Sequence, residues 1–203
     1  SALSKASKSA PKSTMLKATR AASVLGTELS AKISTMQEKQ LDHADGIEGD
    51  WLVLGDKSGS MSESIQLSKE VAALLSRMVK GSVHLIFFDT YSQSFNVKGK
   101  TLEKIQRETR GIIAGGGTSI GCGLQTLLDN KTVVNGIVIV SDGGENMPPF
   151  FASVYKRYTE ECDVEPTVYF LPTSGEPDQL SGSLANTGID VQRFDLTSGA
   201  DHY

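Results

Sequence analysis

Oxygen-bearing side chains follow two apolar runs and one glycine-rich turn of this sequence. Asp56, Ser58 and Ser60 are spaced two residues apart, shortly after the run Trp51–Leu54. The full set of candidate ligands holds two carboxylates and three hydroxyls: Asp56, Ser58, Ser60, Thr118 and Asp142. Because the set contains no imidazole or thiolate, it suits a hard divalent cation, Mg²⁺ first and Mn²⁺ or Ca²⁺ as alternatives. An incomplete protein shell would leave at least one coordination position open.

Buried strands are needed to position these residues. Trp51–Leu54, Val83–Phe88 and Gly136–Val140 are nearly unbroken apolar runs, which indicate strands covered on both faces. Thr167–Leu171 and Val191–Leu196 are predicted to be two further strands.

Tyr91–Val97 differs from these strands because its apolar and polar residues alternate. It follows Val83–Phe88 so closely that only a hairpin can join them, which predicts an antiparallel edge strand. Amphipathic helices are predicted between the strands: Met61–Lys80, Leu102–Thr109, a segment from about Ile120, Pro148–Glu161 and Asp178–Asn186. The alternation predicts a doubly wound, Rossmann-like α/β fold, with a mostly parallel six-stranded sheet, one antiparallel edge strand and helices on both faces.

Such a fold would bring the candidate ligands together. Ligands of open α/β sheets bind outside the carboxyl ends of the strands. Asp56 and Asp142 follow two such ends, and Thr118 lies in the turn before a helix. Four more residues are candidates for groups that support or rim the site, with a solvated or turn-forming role favoured for each: Glu63, Asp89, Ser141 and Glu145.

Each motif also has a local structural interpretation. Ser60 to Glu63 fits a capping box, Thr118 fits a helix N-cap and Asp142-Gly143 fits a turn. Three coincidences at adjoining strand ends are harder to explain than one site, so the metal interpretation is favoured.

Enzymatic interpretations have weaker support. Gly99–Thr101 ends like a phosphate-binding loop, but the glycine required five positions earlier is Ser94. The three histidines suggest no Ser-His-Asp set. The strongest alternative is a Mg²⁺-dependent phosphate-ester hydrolase with Asp56 as nucleophile. Ser58 stands where such an enzyme would need a carboxylate as general acid, and a hydroxyl cannot take that role.

A known family carries the same three motifs in the same order: Asp56-x-Ser58-x-Ser60, Thr118 and Asp142-Gly143. They resemble the metal-ion-dependent adhesion site (MIDAS) of a von Willebrand factor A (VWA) domain of the intracellular or bacterial type, over roughly Gly49–Asp195. The resemblance implies that the serines and the threonine contact the metal and that the aspartates bind it directly or through water. It further implies that an acidic residue of a protein ligand completes the shell.

The resemblance therefore implies a Mg²⁺-dependent protein-interaction module that is not an enzyme. Intracellular relatives often serve as adaptors in larger machines, including ATPase-linked chelatase or stress-resistance complexes and the Ro-type RNA-binding particle. We expect a cytoplasmic location and a protein partner that supplies Glu or Asp, with no membrane contact. The net charge of −4 divides into +5 for residues 1–40 and −9 for the rest, so we expect no nucleic-acid binding by the acidic body.

The chain is predicted to have three parts. Residues 1–13 are small, polar and basic, which indicates a flexible tail, and residues 49–203 form the VWA-like domain. Residues 14–48 hold an amphipathic helix and a linker. Seven residues form the apolar stripe of this helix: Met15, Ala18, Ala22, Leu25, Leu29, Ile33 and Met36. Two roles stay open for the stripe, packing on the domain's own sheet or docking to another domain or subunit.

Overall fold

The apolar runs of the sequence become one six-stranded sheet in the computed structural model, which describes residues 46–59, 61–173 and 179–194. The strands are β1 (Trp51–Asp56), β2 (Val83–Phe88), β3 (Ser92–Asn96), β4 (Gly136–Ser141), β5 (Thr167–Pro172) and β6 (Val191–Arg193). The helices of the described residues are α1 (Ser62–Met78), α2 (Leu102–Glu108), α3 (Ile120–Asp129), α4 (Phe151–Cys162) and α5 (Gln179–Asn186).

The order of the strands across the sheet is β3-β2-β1-β4-β5-β6. Only β3 runs antiparallel to its neighbour, and it lies at the edge beside β2. β1 lies in the centre between β2 and β4, and it is parallel to both. The predicted doubly wound α/β fold with one antiparallel edge strand is therefore confirmed.

Apolar side chains cover both faces of the sheet. One core packs strand residues such as Val53, Leu85 and Val138 against α1 and α2. The other packs Leu54 and Ile139 against α3, α4 and α5. Successive strand residues alternate between the two cores, as the pleat requires.

Helix α1 approaches the central strand closely because Gly55 has no side chain. A Cβ atom at Gly55 would lie 2.6 Å from the hydroxyl oxygen of Ser68 on α1. The Ser64 hydroxyl of the same helix donates a 2.7 Å hydrogen bond to the carbonyl oxygen of Val140. These contacts hold α1 directly behind the tips of β1 and β4.

Some predicted boundaries were wrong. Helix α4 begins at Phe151 rather than at Pro148, because Glu145 accepts hydrogen bonds from the backbone N–H of Phe151. Helix α3 takes Ser119 rather than Thr118 as its N-cap, which leaves the Thr118 side chain to another role.

Several predictions lie outside the described residues. The basic tail and the amphipathic stripe precede residue 46, and the end of the predicted last strand follows residue 194. Among the described helices, none has both the length and the apolar character needed to cross a bilayer.

Candidate metal centre

The tip of β1 begins the candidate site with a buried carboxylate. Asp56 is the last residue of the strand and has no exposed surface. Its Oδ1 atom accepts hydrogen bonds from the backbone N–H of Ser58, at 2.8 Å, and from the Ser58 hydroxyl. The sequence Asp-x-Ser therefore folds back on itself, so that the carboxylate and the hydroxyl predicted as ligands lie side by side.

Thr118 joins this pair from the turn before α3. Its hydroxyl donates a 2.7 Å hydrogen bond to the Ser58 hydroxyl oxygen, although the two residues are 60 positions apart. Both side chains are buried. The structure thus brings together three of the five predicted ligands: Asp56, Ser58 and Thr118.

Asn146 holds Thr118 in place and was not identified by sequence reasoning. Its side-chain oxygen accepts a 2.9 Å hydrogen bond from the Thr118 backbone N–H. Its own N–H donates to the Thr118 carbonyl oxygen at 3.0 Å. No spacing in the sequence points to this contact, because it depends on how the loop after β4 crosses the turn before α3.

Ser141 contacts Asp56 directly. Its hydroxyl donates a 2.6 Å hydrogen bond to Oδ2 of Asp56, and it is fully buried. The register explains this contact: Gly55 pairs with Val140, so the next residues, Asp56 and Ser141, are neighbours on the same side of adjoining strands. Ser141 was predicted only as a supporting or rim group, because its contact with Asp56 depends on a register that the sequence does not fix.

Asp142 supplies the second carboxylate at the end of β4. It is partly exposed, and its Oδ1 atom accepts a 2.9 Å hydrogen bond from the N–H of Gly144. Burial raises the pKa of Asp56, hydrogen bonds from Ser141 and Ser58 oppose that rise, and the negative charge of Asp142 adds to it. The two carboxylates are therefore close enough to repel each other, which is the situation that a bound cation relieves.

Lys57 and Asp89 form an ion pair beside this cluster. The Asp89 carboxylate also accepts a 2.7 Å hydrogen bond from the N–H of Tyr91. Burial raises the pKa of Asp89, but the hydrogen bonds from Lys57 and Tyr91 outweigh it, and the net effect is a lowered pKa. Asp89 thus has structural partners at the rim of the site. Its carboxylate neutralises the charge of Lys57, the residue between Asp56 and Ser58.

The two predicted rim glutamates lie in different surroundings. Glu145 accepts hydrogen bonds from the N–H groups of Gly121, at 3.0 Å, and Phe151, at 2.9 Å, so it joins the N-termini of α3 and α4. Glu63 is exposed in the first turn of α1. Ser60, the remaining predicted ligand, lies outside the described residues.

The donor set of the described residues fits a Mg²⁺ ion. No group of three or more His, Cys, Asp and Glu residues that could hold a metal occurs in the described ranges, so any site here would depend on hydroxyl oxygens as well as on carboxylates. Two oxygens that bind one Mg²⁺ at right angles, each about 2.1 Å from it, lie about 3.0 Å apart. The hydroxyl oxygens of Ser58 and Thr118 are 2.7 Å apart. Little movement would therefore be needed for both to bind one ion.

Solved structures with the same fold come from several bacteria. The Ro protein of Deinococcus radiodurans matches with a TM-score of 0.51 and 15% identity over 78% of this chain and 33% of that one. An aerotolerance-related membrane protein of Bacteroides fragilis matches with a TM-score of 0.50 and 17% identity, over 74% and 92% of the two chains. A von Willebrand factor type A protein of Catenulispora acidiphila matches with a TM-score of 0.51 and 14% identity, over 72% of this chain and 38% of that one.

These likenesses show the fold alone, and the chain spans only about a third of the Ro protein. No curated protein matches the chain. The family model described as "VWA domain containing CoxE-like protein" matches residues 29–156, more than half of the 203 residues. This range begins earlier than the predicted resemblance and contains all five predicted ligands. The chain therefore belongs to the family of CoxE-like proteins that contain a VWA domain.

Proposed function

We propose that this chain is a Mg²⁺-dependent protein-interaction module of the MIDAS type. The observation that carries the proposal is the chain of hydrogen bonds from Thr118 through Ser58 to the buried carboxylate of Asp56. These groups belong to two distant segments, and their oxygen atoms already have nearly the spacing of ligands on one ion. A role limited to helix capping would not need this contact, because Ser119 caps α3.

Different residues of the site would have different roles towards the bound ion. Ser58 and Thr118 would bind it through their hydroxyl oxygens, and Asp56 and Asp142 would balance its charge. Ser60 joins this set on the sequence motif alone. Ser141 is a positioning residue, because it fixes Oδ2 of Asp56. The bound ion would supply a coordination position for a carboxylate of the partner protein.

We further propose that the module acts as an adaptor in a larger cytoplasmic complex and catalyses no reaction itself. The hydrolase alternative gains no support from the site. Both carboxylate oxygens of Asp56 accept hydrogen bonds from serine hydroxyls, and the residue that would have to be the general acid, Ser58, is one of them.

Calorimetric titration of the purified chain with Mg²⁺ tests the proposed site. We expect saturable binding and a melting temperature that rises by roughly 5–10 °C at about a hundredfold excess over the dissociation constant. Asp56→Ala should abolish both effects, whereas Asp129→Ala, at an exposed aspartate on α3, should preserve them. If Mg²⁺ gives neither heat nor a thermal shift in the unaltered chain, the proposal is wrong.

A further inference from the structure

Exposed apolar side chains of the described residues are concentrated at one edge of the sheet. The large hydrophobic residues that are exposed in this part of the chain are Tyr91, Ile113, Val133, Met147 and Phe150. Tyr91 follows β2, Ile113 precedes the glycine-rich turn, and Met147 and Phe150 lie in the loop after β4. These four loop positions belong to the carboxyl edge that carries the candidate metal centre. Val133 precedes β4 and belongs to the opposite edge.

Backbone hydrogen bonds tie these loops to the site residues. The N–H of Met147 donates to the carbonyl oxygen of Thr118 at 2.9 Å. The N–H of Tyr91 donates to Asp89, whose side chain pairs with Lys57. The loop that carries Ile113 is tied to β1 two residues later, because the N–H of Gly115 donates to the carbonyl oxygen of Lys57 at 2.7 Å. The loops that carry these three exposed side chains are therefore tied to residues of the candidate centre.

Gly117, next to Thr118, lies between the loop after β2 and the loop after β4. A Cβ atom there would lie 3.1 Å from Cγ of Met147 and 3.4 Å from Cγ2 of Thr90. The loop that carries Tyr91 and the loop that carries Met147 thus approach each other beside the proposed ligand. Phe150 is the N-cap residue of α4, and its neighbour Pro149 accepts a 2.8 Å hydrogen bond from the Ser119 hydroxyl.

We propose that Tyr91, Ile113, Met147 and Phe150 form an apolar rim that binds apolar residues of the partner on either side of its acidic residue. The inference rests on the proposed Mg²⁺ site, because the ion would bind the acidic residue itself. Exposed apolar surface that is concentrated on one part of a protein commonly marks an interface. Tyr91 is 78% exposed and Phe150 is 45% exposed, so both have surface to lose on binding.

The charges of the side chains at the centre indicate which kind of partner could bind there. Asp56 and Asp142 repel an acidic ligand until a cation is bound, so recognition should require metal. Lys57 lies next to the centre, and its charge is already paired with Asp89. The rim therefore offers contacts to apolar side chains rather than to phosphates, which favours a peptide segment with Asp or Glu between apolar residues.

Selection from a phage-displayed library of random peptides tests the specificity of the rim. The full chain is the target, with one arm in Mg²⁺ and one in EDTA. We expect peptides enriched only in the Mg²⁺ arm, each with Asp or Glu flanked within three positions by apolar side chains. If no peptide is enriched over the EDTA arm, or if the acidic residue lies among polar residues, the rim proposal is overturned.

Rim substitutions then separate this proposal from the metal site. For the most enriched peptide, Tyr91→Ser and Phe150→Ser should each weaken binding about tenfold, whereas Val133→Ser, at an apolar residue that is 42% exposed on the opposite edge, should not. Calorimetric Mg²⁺ binding should be unchanged in all three variants. Intact Mg²⁺ binding with wild-type peptide affinity in both rim variants would overturn the rim and leave the metal site standing. Loss of Mg²⁺ binding by the unaltered chain would overturn both.

Discussion

At the scale of the residue, the Asp56 carboxylate is expected to destabilise the metal-free fold and is proposed to bind the metal. Its carboxylate is fully buried at the tip of the central strand. Burial raises its pKa, and the hydrogen bonds from Ser141 and Ser58 only partly oppose that rise. A buried carboxylate without a cation lowers the stability of a fold. The metal-free protein should therefore be less stable than the same fold with a neutral side chain at this position.

We predict that Asp56→Asn stabilises the metal-free protein at neutral pH. The raised pKa means that the folded state binds the proton more tightly than the unfolded chain, so wild-type stability falls as the pH rises above about 3.9. In EDTA, each 1 kcal/mol gained by the variant should raise its melting temperature by about 2–4 °C, and the gain should shrink as the pH is lowered towards 4. In saturating Mg²⁺, the wild type should instead have the higher melting temperature, because only its site is expected to bind the ion. An equal or lower melting temperature of the variant in EDTA at pH 7, with Asp129→Asn as control, would contradict this.

The site residues differ in how far sequence could identify them. Asp56, Ser58 and Thr118 follow or precede apolar elements whose ends meet at one sheet edge, so pattern alone identified them. Ser141 required the register between β1 and β4, which the apolar runs do not fix. Asn146 acts through the path of a loop, and that path results from tertiary contacts rather than from local preference.

At the scale of the element, strands were easier to predict than helix ends. Buried strands carry an unbroken apolar signal, so β2 was predicted at its observed limits. Strand β1 extends beyond its apolar run to Asp56, because Gly55 and Asp56 still pair with Phe87 and Phe88. The start of α4 is set by Glu145 from the preceding loop, and no propensity of the helix itself specifies that contact.

Strand β2 carries a histidine whose titration should affect stability. His84 is partly buried between Leu52 and Asn96 of the neighbouring strands. Burial lowers its pKa, and the charge of Asp50 opposes the shift only in part. The unfolded chain therefore binds this proton more readily, and stability should fall as the pH drops below about 6.5.

We predict that His84→Gln removes part of this acid sensitivity. Between pH 6.5 and 5, the free energy of unfolding of the wild type should decline with a contribution from His84 of at most about 1.4 kcal/mol per pH unit, and the variant should lack it. Urea unfolding at a series of pH values measures the slope. His202→Gln serves as the control, because it leaves the chain with the same number of histidines as His84→Gln does. Parallel slopes for the wild type and His84→Gln would show that this histidine does not contribute.

At the scale of the whole molecule, a row of aromatic side chains crosses one face of the sheet. The Trp51 ring lies over Gly136, where a Cβ atom would be 2.4 Å from the ring, and it stacks on Tyr169 with centroids 5.8 Å apart. Tyr169 contacts Phe194 at 5.9 Å. All three rings are buried. Helix α1 contacts β1, β2 and β4 on this face, whereas the row continues to β5 and the end of β6.

The first described residues of the chain lie at this face. Ile47 belongs to the same core, and its backbone pairs with Val79 at the end of α1. A helix over residues 14–40 would be about 40 Å long, enough to cross the remaining strands. Of the two roles left open for its predicted apolar stripe, packing on the domain's own sheet is the one that deletion of this segment tests directly.

We therefore predict that deleting residues 1–40 exposes the aromatic row. Trp51 is the only tryptophan, so its fluorescence reports on this face alone. Deletion should shift its emission to longer wavelength and lower the melting temperature, since each large apolar side chain returned to water costs about 1.5–3 kcal/mol. Leu25→Asp with Ile33→Asp should act like the deletion, because the charges interrupt the stripe, whereas removal of residues 1–13 should change little. Unchanged Trp51 emission and stability in the longer deletion would instead favour docking of the stripe to another domain or subunit, because the aromatic row would then be covered without it.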